Sequence, residues 1–224
     1  MSRKSQAPAV KGAEPLRDCP LCPRLAAFRN SLRAANPDWH NAPVPLFGAD
    51  GARLLIVGLA PGLRGANRTG RPFTGDFAGE LLYKTLIKSG LARGAYAASP
   101  ADGLSLVSCA IANAVRCVPP QNKPLPSEAA NCRPFLALAI RALAHLRVIV
   151  ALGRLAHDST LRALHLKPSA YPFAHGAQHR LATAGAPLTL IDSYHCSRYN
   201  TNTGVLTEEM FQAIFATACE ELQT

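Results

Sequence analysis

Four of the seven cysteines fall into two pairs. Cys19-Pro20-Leu21-Cys22 has the two-residue gap that lets two thiolates grip one metal, and Cys117 and Cys132, with fourteen residues between them, supply a second pair. Together they could close a four-thiolate site. Zn²⁺ and an iron–sulfur cluster both accept such a set, and spacing does not separate them. The competing reading treats cysteine as a small buried apolar residue. Cys109 and Cys219, within apolar segments, fit that reading, whereas the four paired cysteines flank Pro-rich loops.

A second concentration of unusual residues runs from Gly58 to Asp76, with five glycines and the three arginines Arg64, Arg68 and Arg71. Glycine permits close backbone approach, and arginine binds phosphate. The Gly-Lys-Ser/Thr ending of a nucleotide-binding P-loop is absent, and no G-x-G-x-x-G follows the apolar run 54–57, so no nucleotide cofactor is expected. Asn113 ends another apolar segment, and residues 194–204 hold His195, Arg198, Tyr199 and Asn200.

These residues need elements to position them. The run 54–57 is short and uniformly apolar, as expected of a strand buried on both faces. Further strands are expected at 105–112, 147–152 and 188–192. Helices are expected at 77–89, capped by Asp76 and ended by Gly90, and at 127–145, 155–165 and from a cap at Thr207. Alternation of this kind builds an α/β three-layer sandwich, in which ligands sit beyond the carboxyl ends of the strands. The Gly58–Asp76 loop, Asn113 and the 194–204 loop all fall at that edge.

The 24 Lys and Arg against 14 Asp and Glu leave a net charge of +10, which favours a polyanionic partner, nucleic acid before membrane. No apolar stretch approaches the roughly 18 residues of a membrane span. The N-terminus lacks a secretory pattern, and the odd cysteine count argues against a disulfide framework, so a cytoplasmic, nucleoid-associated monomer is expected. Residues 1–15 read as a mobile basic tail and 16–224 as one domain.

Four blocks then match one family. Gly58-Leu59-Ala60-Pro61 with its following Gly-Ala-Asn-Arg-Thr-Gly-Arg-Pro-Phe-Thr-Gly-Asp run, Asn113-Ala114-Val115-Arg116-Cys117, the His195 loop ending Asn200-Thr201-Asn202-Thr203-Gly204, and the cysteine quartet occur in family order. In these the sequence resembles the type-5, iron–sulfur branch of the uracil-DNA glycosylase superfamily. The resemblance implies a central four-stranded parallel sheet, a [4Fe-4S] cluster on Cys19, Cys22, Cys117 and Cys132, and removal of uracil and other deaminated bases from DNA.

Chemistry distributes the remaining roles. A glycosylase must extrude its nucleotide and hold the base in a pocket, here built from Gly58, Leu59, Ala60, Phe73 and Asn113. Phe73 would stack on the base, and the Asn113 amide could pair with uracil O4 and N3–H. His195 is the expected donor to the departing base, and need not be charged. Asp76 is the nearest carboxylate able to orient water, with a helix cap as its competing role. Arg64, Arg68, Arg71, Arg198, Tyr199 and Asn200 are the expected DNA contacts, Tyr199 as a wedge. Leu59 and Ala60 leave the turn without a bulky polar side chain, so hypoxanthine is an expected substrate. His195 is followed by Cys196 and Ser197, where the wider superfamily more often has Pro. Lys84 and Lys88 lie outside these loops, so no lyase step is expected. The alternative function is a non-catalytic, metal-containing nucleic-acid-binding module.

Overall fold

A computed structural model describes residues 14–48, 51–183 and 187–223. Of the tail expected over 1–15, residues 1–13 lie outside the described residues. Glu14 is built into the fold: its carboxylate accepts from the Leu46 N–H at 3.0 Å and lies 3.4 Å from the Arg116 guanidinium.

The described elements are α1 (Pro23–Ala35), β1 (Phe47–Gly48), β2 (Leu54–Gly58), α2 (Ala66–Thr69), α3 (Phe77–Lys88), β3 (Ala92–Arg93), β4 (Ser105–Leu106), β5 (Cys109–Asn113), α4 (Pro126–Ala142), β6 (Val148–Leu152), α5 (Arg154–Ala163), β7 (Gln178–Leu181), β8 (Leu188–Ser193), α6 (Arg198–Asn202) and α7 (Glu208–Gln223). The main sheet runs β1-β5-β2-β6-β8-β7. Its four central strands are mutually parallel, and β1 and β7 add antiparallel edges. The sheet therefore has six strands rather than the four expected. The edges escaped notice because β1 has two residues and β7, Gln-His-Arg-Leu, has no apolar run.

Both faces of the sheet are covered, which is why its strands read as unbroken apolar runs. Leu54 and Ile56 point to the core shared with Phe211, Ile214 and Phe215 of α7, while Leu55 and Val57 point to the core shared with Leu136, Ile140 and Leu161 of α4 and α5. The strand expected at 105–112 is broken. Ser108 sits at φ +52°, so β4 pairs with β3 in a separate hairpin and β5 restarts at Cys109. Asp76 caps α3, and the Thr207 hydroxyl accepts from the Met210 N–H at 3.2 Å before α7, both as expected. No helix of the described residues is long and apolar enough to cross a membrane.

Candidate active site and cysteine cavity

Register places the first site residues side by side. Gly58 ends β2 opposite Asn113 at the end of β5, and the ladder continues past both, with Ala114 and Val115 N–H donating to the Gly58 and Leu59 carbonyls at 2.9 and 3.0 Å. A Cβ at Gly58 would fall 2.5 Å from Asn113 Oδ1 and from Phe73 Cζ. Glycine here is what lets the amide and the ring approach one another. Asn113 is 2% exposed, and its Oδ1 has no hydrogen-bond partner, an expensive state for a buried acceptor. It lines a cleft of about 410 Å³ with Leu59, Ala60, Phe73, Asp76 and His195.

Phe73 occupies this wall in a left-handed conformation, φ +51°, which a bulky residue adopts only when its surroundings impose it. The surroundings are a clamp centred on Arg71. This side chain, 5% exposed, forms two bonds to Asp102 at 2.8 and 2.7 Å and one to Thr74 Oγ1 at 2.7 Å. Its guanidinium lies 5.2, 5.4 and 5.9 Å from the rings of Tyr83, Phe47 and Tyr96. Tyr83 donates to the Pro72 carbonyl at 2.7 Å, while the Tyr96 hydroxyl donates to the Phe73 carbonyl at 3.3 Å and accepts from the Gly75 N–H at 3.1 Å.

Asp76 Oδ1 accepts from the Gly79 N–H at 3.1 Å, and a Cβ at Gly62 or Gly65 would collide with Oδ2, so two glycines make the room for this carboxylate. Burial pushes its pKa above the ordinary aspartate value against the opposing pull of the Gly79 and Ala78 N–H groups. His195 follows β8, its ring centroid 6.1 Å from that of Phe73 and inclined at 29°. Burial pushes its pKa down to about 4, so the imidazole is neutral at pH 7. Asn200 Nδ2 donates to the His195 carbonyl at 2.8 Å, and His175 Nδ1 accepts from the Tyr194 N–H at 3.1 Å. Below this loop, Asp192 of β8 joins His157 at 2.7 Å and His179 at 3.2 Å. His157's other ring nitrogen meets the Tyr171 carbonyl at 2.9 Å, so the group is a saturated hydrogen-bonded brace.

Cys19, Cys22, Cys117 and Cys132 line one cavity, brought from the segment before α1, the segment after β5 and the interior of α4. Three sulfurs face N–H groups: Arg116 N–H to Cys132 at 3.2 Å, Arg29 to Cys117 at 3.7 Å and Asn131 to Cys22 at 3.7 Å. Cys22 also stands at the N-terminus of α1, where burial pushes its thiol pKa up against the opposing pull of the Asn131 hydrogen bond. Among the described residues, the only group of three or more His, Cys, Asp or Glu side chains whose ligand atoms all lie within 4.8 Å is the His157–His179–Asp192 brace. No three of the four sulfurs therefore lie all within 4.8 Å of one another. Four cysteine thiols converging on one cavity are a donor set of the kind that holds a thiolate-bound metal group.

A family model for the "Uracil DNA glycosylase superfamily" matches residues 45–219. A "Type-5 uracil-DNA glycosylase" of Thermus thermophilus is 45% identical over 206 residues, covering 89% of this chain and 92% of the relative. Proteins of the same description from Mycobacterium bovis and Pyrobaculum aerophilum are 41% and 37% identical, covering 89% and 91% of this chain and 76% and 89% of theirs. The chain belongs to the type-5 branch of the uracil-DNA glycosylase superfamily.

Within this family member the structure brings Leu59, Ala60, Phe73, Asp76, Asn113 and His195 around one cleft, with Gly58 packed against Asn113 and Phe73, and the four cysteines around another cavity. It does not bring Arg71 to the surface. Expected as a DNA contact, Arg71 is spent inside on Asp102 and three aromatic rings, and holds the Phe73 loop instead. Asn200 is likewise half-buried, with its amide turned to the His195 carbonyl. Arg64, Arg68 and Arg198 are exposed, the last lying 5.2 Å over the Phe77 ring, and Tyr199 is 75% exposed. Sequence reasoning missed Asn122, which lines the cleft at φ +56° from the Pro-rich loop. Its signal was an Asn in a rigid loop directly after a metal-type cysteine.

Proposed function

We propose that this chain is a monofunctional uracil-DNA glycosylase, a monomeric cytoplasmic enzyme that hydrolyses the N-glycosidic bond of uracil in DNA and leaves an abasic site for base excision repair. The observation that carries the reading is the unpartnered, buried Asn113 Oδ1 facing Phe73 and a neutral His195 across one cleft.

A flipped uracil stacks on Phe73 and offers N3–H to Asn113 Oδ1, with its O4 accepting from Nδ2. Cytosine presents an acceptor and a donor at the same two atoms, so it leaves both amide groups opposed. As the C1′–N1 bond breaks, its electron pair passes to the base, and the neutral His195 N–H donates to the base oxygen where negative charge collects. Asp76 positions a water whose oxygen bonds to C1′, and the carboxylate accepts the proton released. No lysine lines the cleft among the described residues, which leaves this chemistry without a Schiff-base partner. Leu59 and Ala60 leave the turn without a polar side chain, so hypoxanthine and related deaminated bases fit as further substrates.

Arg64, Arg68 and Arg198 hold phosphates, and Tyr199 fills the gap in the duplex. Cys19, Cys22, Cys117 and Cys132 hold a [4Fe-4S] cluster, with zinc as the alternative. Held by these four residues, such a group would be anchored to the segment before α1, the segment after β5 and α4 at once.

The test is single-turnover cleavage of duplex and single-stranded DNA carrying one uracil, hypoxanthine or normal base, with alkali to reveal abasic sites. Release of deaminated bases that is lost in Asn113→Ala and His195→Ala supports the reading. Tight DNA binding with every strand intact refutes it in favour of a non-catalytic binding module.

A further inference from the structure

The cysteine cavity is bordered by two buried arginines: among the described residues Arg29 has no carboxylate within ion-pair distance, and Arg116 has one, at 3.4 Å. Arg29 reaches into it from α1 and is 4% exposed. Its Nη1 donates to Cys117 Sγ at 3.7 Å, its Nη2 donates to the Cys19 carbonyl at 3.1 Å, and its Nε has no partner. Arg116 precedes Cys117 in the chain and is 1% exposed. Its side chain has one bond, from Nη1 to the Val44 carbonyl at 3.4 Å, and a 3.4 Å ion pair from Nη2 to Glu14; Nε is again unpartnered.

Other arginines in this fold are treated differently. Arg71 forms two bonds to Asp102, and Arg24 forms two to Glu128 at 2.8 and 2.7 Å. A guanidinium removed from water without a counter-charge is strongly unfavourable, and an unused N–H adds to that cost. Four neutral thiols offer no compensation. Four thiolates around a doubly charged cluster core leave two negative charges; Arg29, without an ion pair of its own, offsets one of them, while the charge of Arg116 is shared with Glu14.

Resting on the reading of the quartet as a cluster site, we propose that Arg29 is the resident counter-cation of the thiolate-bound group. Arg29, through the Cys117 sulfur, governs how firmly that group is held and at what potential it takes an electron. Two features single out Arg29. Its guanidinium joins the Cys19 and Cys117 segments, so it has a mechanical as well as an electrostatic lever. A positive N–H donor at a ligand sulfur also favours the more reduced, more negative level of the group.

The experiment compares anaerobically purified wild type, Arg29→Gln, Arg29→Lys and Arg24→Gln by iron and sulfide content, iron release to bathophenanthroline and voltammetry. Arg29→Gln should release iron at least tenfold faster. At a fixed electrode potential its reduced-to-oxidised ratio should fall about tenfold, a midpoint about 59 mV lower for one electron. Arg29→Lys keeps the charge but not the fork, and should keep the potential while releasing iron at an intermediate rate. Arg24→Gln loosens α1 from α4 without contacting a sulfur and acts on the quartet only through the freed Glu128 charge, so it should lower the potential by less than half as much as Arg29→Gln. Full iron in wild type with unaltered release and potential in Arg29→Gln overturns this proposal alone, as does an equal effect in Arg24→Gln. If Arg29→Gln does not accumulate, a potential in Arg29→Lys lowered by the full amount overturns the electrostatic role. Wild type without iron and sulfide overturns the cluster reading beneath it.

Discussion

Asp76 has two roles that substitution can separate. Its Oδ1 caps α3 through the Gly79 N–H, and its carboxylate lines the cleft in the space left by Gly62 and Gly65. Asp76→Ala removes both cap and charge. Asp76→Asn keeps an acceptor for Gly79 N–H and removes only the charge, and losing a cap to alanine costs about 1 kcal/mol. The charge has its own sign. Burial raises the folded-state pKa above the unfolded value, so the folded chain holds this proton more tightly. Asp76 therefore favours the fold below the unfolded carboxyl pKa, and that contribution is lost as pH rises through the folded value. At neutral pH the ionised group is a burden, so Asp76→Asn should be more stable than wild type near pH 7 and lose that advantage as pH falls towards 4. Asp76→Ala should lie about 1 kcal/mol below Asp76→Asn. If the carboxylate also takes the proton from water, both variants should remove uracil about 10²- to 10⁴-fold more slowly. Urea unfolding at the two pH values and single-turnover cleavage read these terms separately. Asp76→Asn with uracil removal within about threefold of wild type refutes the base role, since a positioned base contributes at least about 10²-fold. Asp76→Asn no more stable than Asp76→Ala refutes the cap.

Gly58→Ala places a methyl group 2.5 Å from Asn113 Oδ1 and the Phe73 ring, so uracil removal should collapse while circular dichroism stays native; retained activity would show that the amide and ring need not meet there. Arg71→Met leaves Asp102 buried without its partner, a loss of about 3 kcal/mol by denaturant unfolding, accompanied by faster proteolysis of the Phe73 loop. Arg64→Ala and Arg68→Ala should each lower the salt slope of DNA binding by about 0.9, whereas Arg71→Met should not change it. His195, with a pKa pushed down to about 4, should show no titration by NMR between pH 5 and 8. Because folding favours its neutral form, its contribution to stability falls as pH drops below the unfolded histidine value of about 6.5. A midpoint near 6.5 in the native protein would contradict the burial that sets this behaviour.

The parallel centre of the sheet was legible because strands covered on both faces must be apolar throughout, as in 54–57 and 148–152, and because Asp76 and Thr207 carry cap chemistry in their side chains. The edge strands were not, since β1 is too short for periodicity and β7 is held by main-chain bonds that any side chain permits. Arg71 shows the limit for sites. Its neighbours Arg64 and Arg68 lie in the same loop and face outward, and nothing local marks the one that turns inward to Asp102, thirty-one residues away. The left-handed backbone of Phe73 was equally hidden, because it is imposed by Tyr83 and Tyr96 from beyond the loop.

That hidden clamp explains how a glycine-rich loop can serve a site that demands fixed geometry. Glycines at 58, 62 and 65 remove side chains so that Asn113, Phe73 and Asp76 can converge, but they also free the backbone that carries them. Rigidity has to come from elsewhere, and here it comes from a buried ion pair and two tyrosine hydroxyls that bond to the carbonyls of Pro72 and Phe73. Strain at Phe73 is tolerable only because these partners act together. The His195 side of the cleft repeats the arrangement with different parts: the loop after β8 is held by Asn200 at the His195 carbonyl and by His175 at the preceding N–H. The strand ends deliver the chemistry to one edge, and side chains outside the cleft keep it in register.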